Sequence, residues 1–206
     1  MGLSLTIVII AVTVLVSWRA FNDRKLLERL ILWPPAVERH KQYDRLLTHG
    51  FIHADWVHLA FNMITLWSFG TGVERVFSAW ITPLGFVLFY LSAIVVAILP
   101  TYLRHRRDAN YRSLGASGGV AAVLFASILF DPWSTLIIFP IPVPIPAFVF
   151  ALLYVGYSIW MDRRGGDNVN HSAHLWGAAY GVLFTIAMEP AVLGHFTQSL
   201  FGSGGP

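Results

Sequence analysis

The chain has 206 residues, of which 56% are hydrophobic, 15% aromatic and only 12% charged, and its mean hydropathy is +0.62. Soluble domains carry about 25% charged residues, so the composition excludes a water-soluble globule and indicates a membrane protein. The net charge of +3 implies no nucleic-acid partner, because the basic residues lie in loops between apolar runs rather than along a stripe with stacking aromatics.

Zero cysteines exclude disulfides, thiol nucleophiles and cysteine metal sites. At about 20 residues per span, six spans and their loops use the whole chain as one transmembrane domain, residues 1–206.

Leu3 to Val16, with some help from Trp18, forms the first apolar run. It lacks a charged leader and a small-residue cleavage site, so it reads as a retained span rather than a signal peptide. Arg19 to Asp55 is the longest polar connection. Within it Leu26, Leu27, Leu30, Ile31 and Leu32 recur at helical spacing among charges. That pattern predicts an amphipathic interfacial segment stopped by Pro34-Pro35.

The second span is predicted from Trp56 to Phe77, with His58 and Asn62 inside it and Gly70 to Arg75 near its end. Ile81 to Tyr102 is the third, with Pro83 near its start and Pro100 near its end. Gly115 to Phe130 is the fourth, closed by Asp131-Pro132. The prolines at 140, 142, 144 and 146 forbid a regular helix and predict an irregular loop or a broken helix. Ala147 to Met161 and Ser172 to Met188 are the fifth and sixth spans, joined by a polar loop from Asp162 to Asn170. The tail after Glu189 is Gly-rich and expected to fray. No internal repeat is present, which argues against a transporter built from inverted halves.

The chemistry centres on Leu114-Gly115-Ala116-Ser117-Gly118-Gly119, which follows a charged loop and opens an apolar helix. Ser117 would sit in the first helical turn, where free N–H groups and the helix dipole favour an oxyanion. The plainer alternative is a small-residue helix start that lets neighbours approach. His174 decides between them. Gly177 and Gly181 share its helix face and form a Gly-x-x-x-Gly surface. Contact between that face and the Gly118 face of the fourth span would bring the imidazole to the Ser117 hydroxyl as general base.

His58 and Asn62, four residues apart, share a face and can donate hydrogen bonds to an oxyanion together with the Ser117 N–H. His49, His53 and His58 form a loose cluster, but no His-Glu-x-x-His pattern supports a metal site. Lys25 and Lys41 lie in the first connection, so a Ser–Lys dyad has no lysine to use. Every aspartate lies in a loop or at a boundary, which excludes an aspartyl pair.

With these residues in place the chain resembles the rhomboid intramembrane serine proteases over nearly all its length. The resemblance rests on Arg45 with Thr48, on His53, His58 and Asn62, on Gly70 with Glu74, on Gly115-Ala-Ser117-Gly118, and on Ala173-His174 followed by Gly177 and Gly181. It implies an all-α, polytopic six-span bundle of the minimal bacterial type, multi-pass in a bacterial inner membrane. Ser117 would be the nucleophile and His174 the base, without the acidic member of a soluble triad, and His58 and Asn62 would line the oxyanion hole. The fifth span and the loop from Asp162 to Asn170 would form the gate and cap. Substrates would be transmembrane proteins cut within or beside their spans, without metal or cofactor.

Two positions depart from the family pattern: Asp44 precedes Arg45 where an aromatic residue is usual, and Ala121 stands where a ring usually supports the histidine. Orientation carries a conflict too. Of fourteen Lys and Arg, all but Arg75 follow spans one, three and five. The positive-inside rule puts those loops in the cytoplasm, whereas the resemblance implies the reverse. The main rival to a protease is a catalytically weak or inactive rhomboid-like protein that binds unstable membrane helices.

Overall fold

A computed structural model describes residues 4–138 and 141–202. Met1 to Leu3, where the first predicted span begins, Pro140 of the connector, and residues 203–206 of the tail lie outside the described residues. The described chain is mostly helical.

Helix α1 (Leu5–Asn22) buries Thr6, Ile9, Thr13, Ser17 and Ala20, which recur at helical spacing. Its large apolar side chains, Ile7, Val12, Leu15 and Trp18, face outward. This is the reverse of a soluble amphipathic helix: small and polar groups meet the neighbouring helices, and the bulky apolar face is left for lipid. The start of α1 is held by helix α5 (Trp56–Trp80). Glu74 accepts from the Leu5 and Thr6 amides at 2.7 and 2.9 Å and from the Ser4 and Thr6 hydroxyls at 2.6 and 2.7 Å. Gly70 makes the approach possible, since a Cβ there would lie 2.7 Å from Thr6 Cγ2.

The first connection folds into short helices, α2 (Arg24–Leu30), α3 (Pro34–His40) and α4 (Arg45–Thr48), followed by a tight turn at His49–Phe51. Pro34-Pro35 does not merely stop a helix; the pair opens α3 at its first two positions, where the missing N–H groups would have been unpaired anyway. Arg45 is buried, and its guanidinium donates to the carbonyls of Glu28 and Ile31, both at 2.7 Å, and to Gln42 Oε1 at 2.6 Å. The Thr48 hydroxyl adds a bond to the Leu30 carbonyl at 2.9 Å. Together they satisfy the carbonyls orphaned at the end of α2.

Helix α6 (Pro83–His105) is longer than predicted and carries Pro100 inside it. Helix α7 (Ser117–Phe130) is the centre of the molecule: its residues from Gly118 to Ala126 are all buried, and it touches α5, α6 and three later helices. These are α8 (Ala147–Arg164), α9 (His171–Met188) and α10 (Val192–Phe201).

The proline-rich connector is neither an irregular loop nor a broken helix. It forms an antiparallel hairpin of β1 (Thr135–Ile138) and β2 (Ile141–Pro146), in which Thr135 pairs with Pro146 and Ile137 with Pro144. The Ala147 amide donates to the Ser134 carbonyl at 2.9 Å. By the alternation of an antiparallel ladder, Pro144 and Pro146 then fall where a backbone N–H would point away from β1. Prolines at every second position are therefore compatible with a strand. The predicted frayed tail is also corrected. α10 folds back on α7, with Trp133 Nε1 donating to the Ser199 carbonyl at 2.9 Å and His195 Nε2 bonded to the Phe130 carbonyl at 2.8 Å.

Among the described residues two helices, α1 and α6, are each long and apolar enough to cross a membrane, and α9 with α10 forms a third candidate bent by 112°. Helix α5 has 25 residues but carries His58, Asn62, Glu74 and Arg75. Apolar α7 has only 14.

Candidate active site

Ser117 is the first residue of α7, and no side chain caps that end. Val120 is the first amide of the helix to find a backbone acceptor, the Ala116 carbonyl at 3.0 Å, so among the described residues the amides of Ser117, Gly118 and Gly119 form a nest of free donors. The segment leading into Ser117 is tied down residue by residue. Leu32 and Ser113 exchange backbone hydrogen bonds at 3.0 and 3.1 Å, and the Gly115 amide donates to the His49 carbonyl at 2.9 Å. Gly115 has φ +115°, and a Cβ there would strike His58 Cε1 at 2.7 Å. Only glycine meets both conditions.

His53 supports the next residue. The Ala116 amide donates to His53 Nε2 at 3.4 Å, while His53 Nδ1 lies 2.9 Å from Ser17 Oγ, which donates to the Phe51 carbonyl at 3.0 Å. This chain requires a neutral ring with its proton on Nδ1. Burial agrees, pushing His53 down to about 3 from an ordinary 6.5, with the nearby His58 adding to the effect. His49, fully enclosed, is pushed down by burial to about 4. Because both nitrogens of His53 are engaged, the histidine cluster offers no ready set of ligands. Among the described residues no group of three or more His, Asp or Glu could hold a metal ion.

His58 packs edge-on to His53, ring centroids 4.9 Å apart, and against Gly115 just before Ser117. Asp55 caps α5 by accepting the His58 amide at 2.8 Å. Asn62 is buried one turn further on, but its Nδ2 donates to the His58 carbonyl at 3.0 Å. The structure thus brings His58 to the Ser117 segment and turns the Asn62 amide back along its own helix.

His174 lies in the first turn of α9. That end is capped by Asn170, whose Oδ1 accepts from the Ala173 amide and the Thr101 hydroxyl, both at 3.0 Å, and whose Nδ2 donates to the Tyr111 hydroxyl at 3.2 Å. A Cβ on Gly118 would stand 2.6 Å from Ala97 Cβ of α6 and 3.4 Å from the Ala173 carbonyl. On the other side of the contact, a Cβ on Gly177 would run into the Gly118 carbonyl and one on Gly181 into the Ala122 carbonyl. Glycine-lined faces of α7 and α9 therefore meet backbone to backbone beside Ser117 and His174. The two side chains are not joined by a hydrogen bond among the described residues.

Sequence reasoning placed Tyr154 and Asn170 in the gate and cap segments without an individual role, and gave His171 none. Asn170 was readable as a polar cap before an apolar helix. His171 Nε2 is bonded to Asp167 Oδ2 at 3.0 Å, and that bond holds the Asp167 carboxyl below its usual range. Tyr154 of α8 stacks on His174, and an aromatic residue in an apolar helix carries no signal of such a contact.

A Rhomboid domain matches residues 40–190. The chain is 30% identical over 194 residues, 87% of its length, to RHOMBOID-like protein 12, mitochondrial, of Arabidopsis thaliana. It is 31% identical over 187 residues, 85% of its length, to the human Presenilin-associated rhomboid-like protein, mitochondrial. To Rhomboid protease GluP of Bacillus subtilis it is 28% identical over 162 residues, 79% of its length. These matches cover 56%, 46% and 29% of the respective relatives, so the chain corresponds to about half or less of each. With the family's domain matched over most of its length, this membrane protein belongs to the rhomboid family.

Proposed function

We propose that the chain is an intramembrane serine endopeptidase that cleaves transmembrane segments of other membrane proteins, with Ser117 as nucleophile and His174 as general base. The observation that supports this most is the glycine contact of α7 with α9, in which Gly118, the neighbour of Ser117, meets Gly177, three residues after His174. Ordinary leucine packing would hold the two helices about 8–10 Å apart.

In this reading His174 takes the Ser117 proton as Oγ attacks the scissile carbonyl. The developing oxyanion is received by the Ser117 amide and by His58, and by Asn62 once its amide leaves the His58 carbonyl. His174 then protonates the leaving amine, and water repeats the sequence to release the acyl group. Water has to reach the site within the bilayer, and the length of α7 allows it. Fourteen residues rise only about 21 Å, less than the roughly 30 Å hydrocarbon core. If the far end of α7 lies at one interface, Ser117 sits below the surface of the opposite leaflet, at a depth that water entering between the helices can reach.

The same reading makes residues 1–206 a single six-span domain, with α1, α5, α6, α7, α8 and α9 as the spans, working without metal or cofactor. The membrane proposed is a bacterial inner membrane. Two of the relatives above carry mitochondrial names, so fractionation of the native host is the direct check.

The test is cleavage of a single-span reporter in proteoliposomes. Ser117→Ala and His174→Ala each abolish cleavage, and a fluorophosphonate probe labels Ser117 in the unaltered protein. Cleavage undiminished in the Ser117 variant overturns the assignment. The alternative, a rhomboid-like protein that binds unstable helices without cutting them, draws on the missing Ser117–His174 hydrogen bond. It predicts reporter binding with neither cleavage nor labelling.

A further inference from the structure

We propose that Tyr154 is the positioning residue for His174, a role that rests on the protease reading above. A base that receives a proton must hold one orientation, and in soluble Ser-His-Asp enzymes a carboxylate hydrogen bond supplies it. Among the described residues neither ring nitrogen of His174 is hydrogen-bonded, and the described contacts of its ring are with aromatic neighbours. Tyr154 covers one face, centroids 6.0 Å apart and planes inclined by 26°. That geometry lies within the range of offset-stacked pairs. The His171 ring meets His174 edge-on at 5.8 Å and 78°.

The contact is built into the pairing of two helices. Tyr154 and Tyr157 are three apart on one face of α8, and His171 and His174 are three apart on one face of α9. Tyr154 meets His174, and Tyr157 meets His171 edge-on at 5.6 Å and 80°. Antiparallel neighbours give this crossed register, and Asp167 fixes its outer end through His171 Nε2. Tyr154 is itself held from α7 by Phe125, centroids 5.5 Å apart, and from its own helix by Phe150 at 5.6 Å. On the turn after Ser117, α7 offers only Ala121, which has no ring to give. The platform under His174 therefore comes from α8.

Two substitutions separate a ring platform from simple core filling: Tyr154→Phe keeps the ring, and Tyr154→Leu removes it at similar bulk. In reporter cleavage by detergent-folded protein, Tyr154→Leu lowers kcat on the order of tenfold to a hundredfold with KM changed less than about twofold. Tyr154→Phe retains kcat near that of the unaltered protein. A second readout does not depend on activity. In the Ser117→Ala protein, ring-proton resonances of His174 are displaced upfield by the Tyr154 ring current; Phe keeps the displacement and Leu loses it. Full kcat in Tyr154→Leu, equal losses in Phe and Leu, or no ring-current displacement each overturn the proposal. If Tyr154→Leu does not fold, the Phe variant and the displacement in Ser117→Ala decide it. If the unaltered protein cuts nothing, the protease reading fails while the displacement still tests the contact.

Discussion

Gly118 and Gly177 touch through their backbones: a Cβ on Gly177 would stand 3.0 Å from Gly118 Cα and collide with its carbonyl. No rotamer change relieves a clash with backbone, so any side chain at 177 must push α9 away from α7. Gly177→Val is expected to destabilise the protein by about 1–3 kcal/mol and to abolish reporter cleavage. Gly156 provides the control, since among the described residues nothing lies within 4 Å of its would-be Cβ. Gly156→Ala is expected to gain about 0.5–1 kcal/mol from helix propensity. Thermal unfolding in detergent checks both.

Acid is expected to weaken the fold through two histidines. His53 titrates near 3 and His49 near 4 in the folded protein, against an ordinary 6.5. Between those values and 6.5 the unfolded chain holds protons that the folded chain does not, so stability rises with pH there. It is complete above about 6.5 and falls progressively as pH drops toward 3–4. At pH 5 the loss amounts to about 2 kcal/mol per histidine. Unfolding temperatures recorded from pH 7.5 to pH 5 should fall, and His53→Asn should flatten the slope.

Glu74 gathers four hydrogen bonds at the start of α1. Removing the carboxylate leaves two helix-start amides and the buried Thr6 hydroxyl without acceptors. Glu74→Ala should destabilise by about 3 kcal/mol, and Glu74→Gln by less. Limited proteolysis should show α1 released first.

At Arg45 the geometry requires a fork. One planar group reaches two carbonyls and Gln42, which a single ammonium cannot reproduce. Arg45→Lys and Arg45→Ala should therefore lose comparable stability, about 2–3 kcal/mol. The measurement is denaturation of each variant beside the parent.

The long apolar runs were readable in the sequence because lipid demands about the same length and composition of every span. α6 and α7 begin and end within a few residues of their predicted positions, whereas α1 continues past Val16 and Trp18 to Asn22. The segments that went unread are those whose shape depends on partners. α10 holds its place through Trp133 and His195, which bond across to it and from it, and a Gly-containing tail gives no hint of either contact. Asn62 was readable as a polar residue on the His58 face, but not the hydrogen bond that turns its amide back to the His58 carbonyl. The Ser117 segment was recognisable from its glycines. What His53 does for it was not, because that role spans 63 residues of sequence.

The proline-bearing strand has a consequence beyond its own shape. Pro144 and Pro146 lie in β2 where the outward-facing edge would otherwise present donors. Without those N–H groups the outer edge of β2 offers a further strand from a neighbouring molecule no donors at these positions. In a crowded membrane, where another chain's loose segment is always close by, that side of the hairpin is a poor template for strand addition.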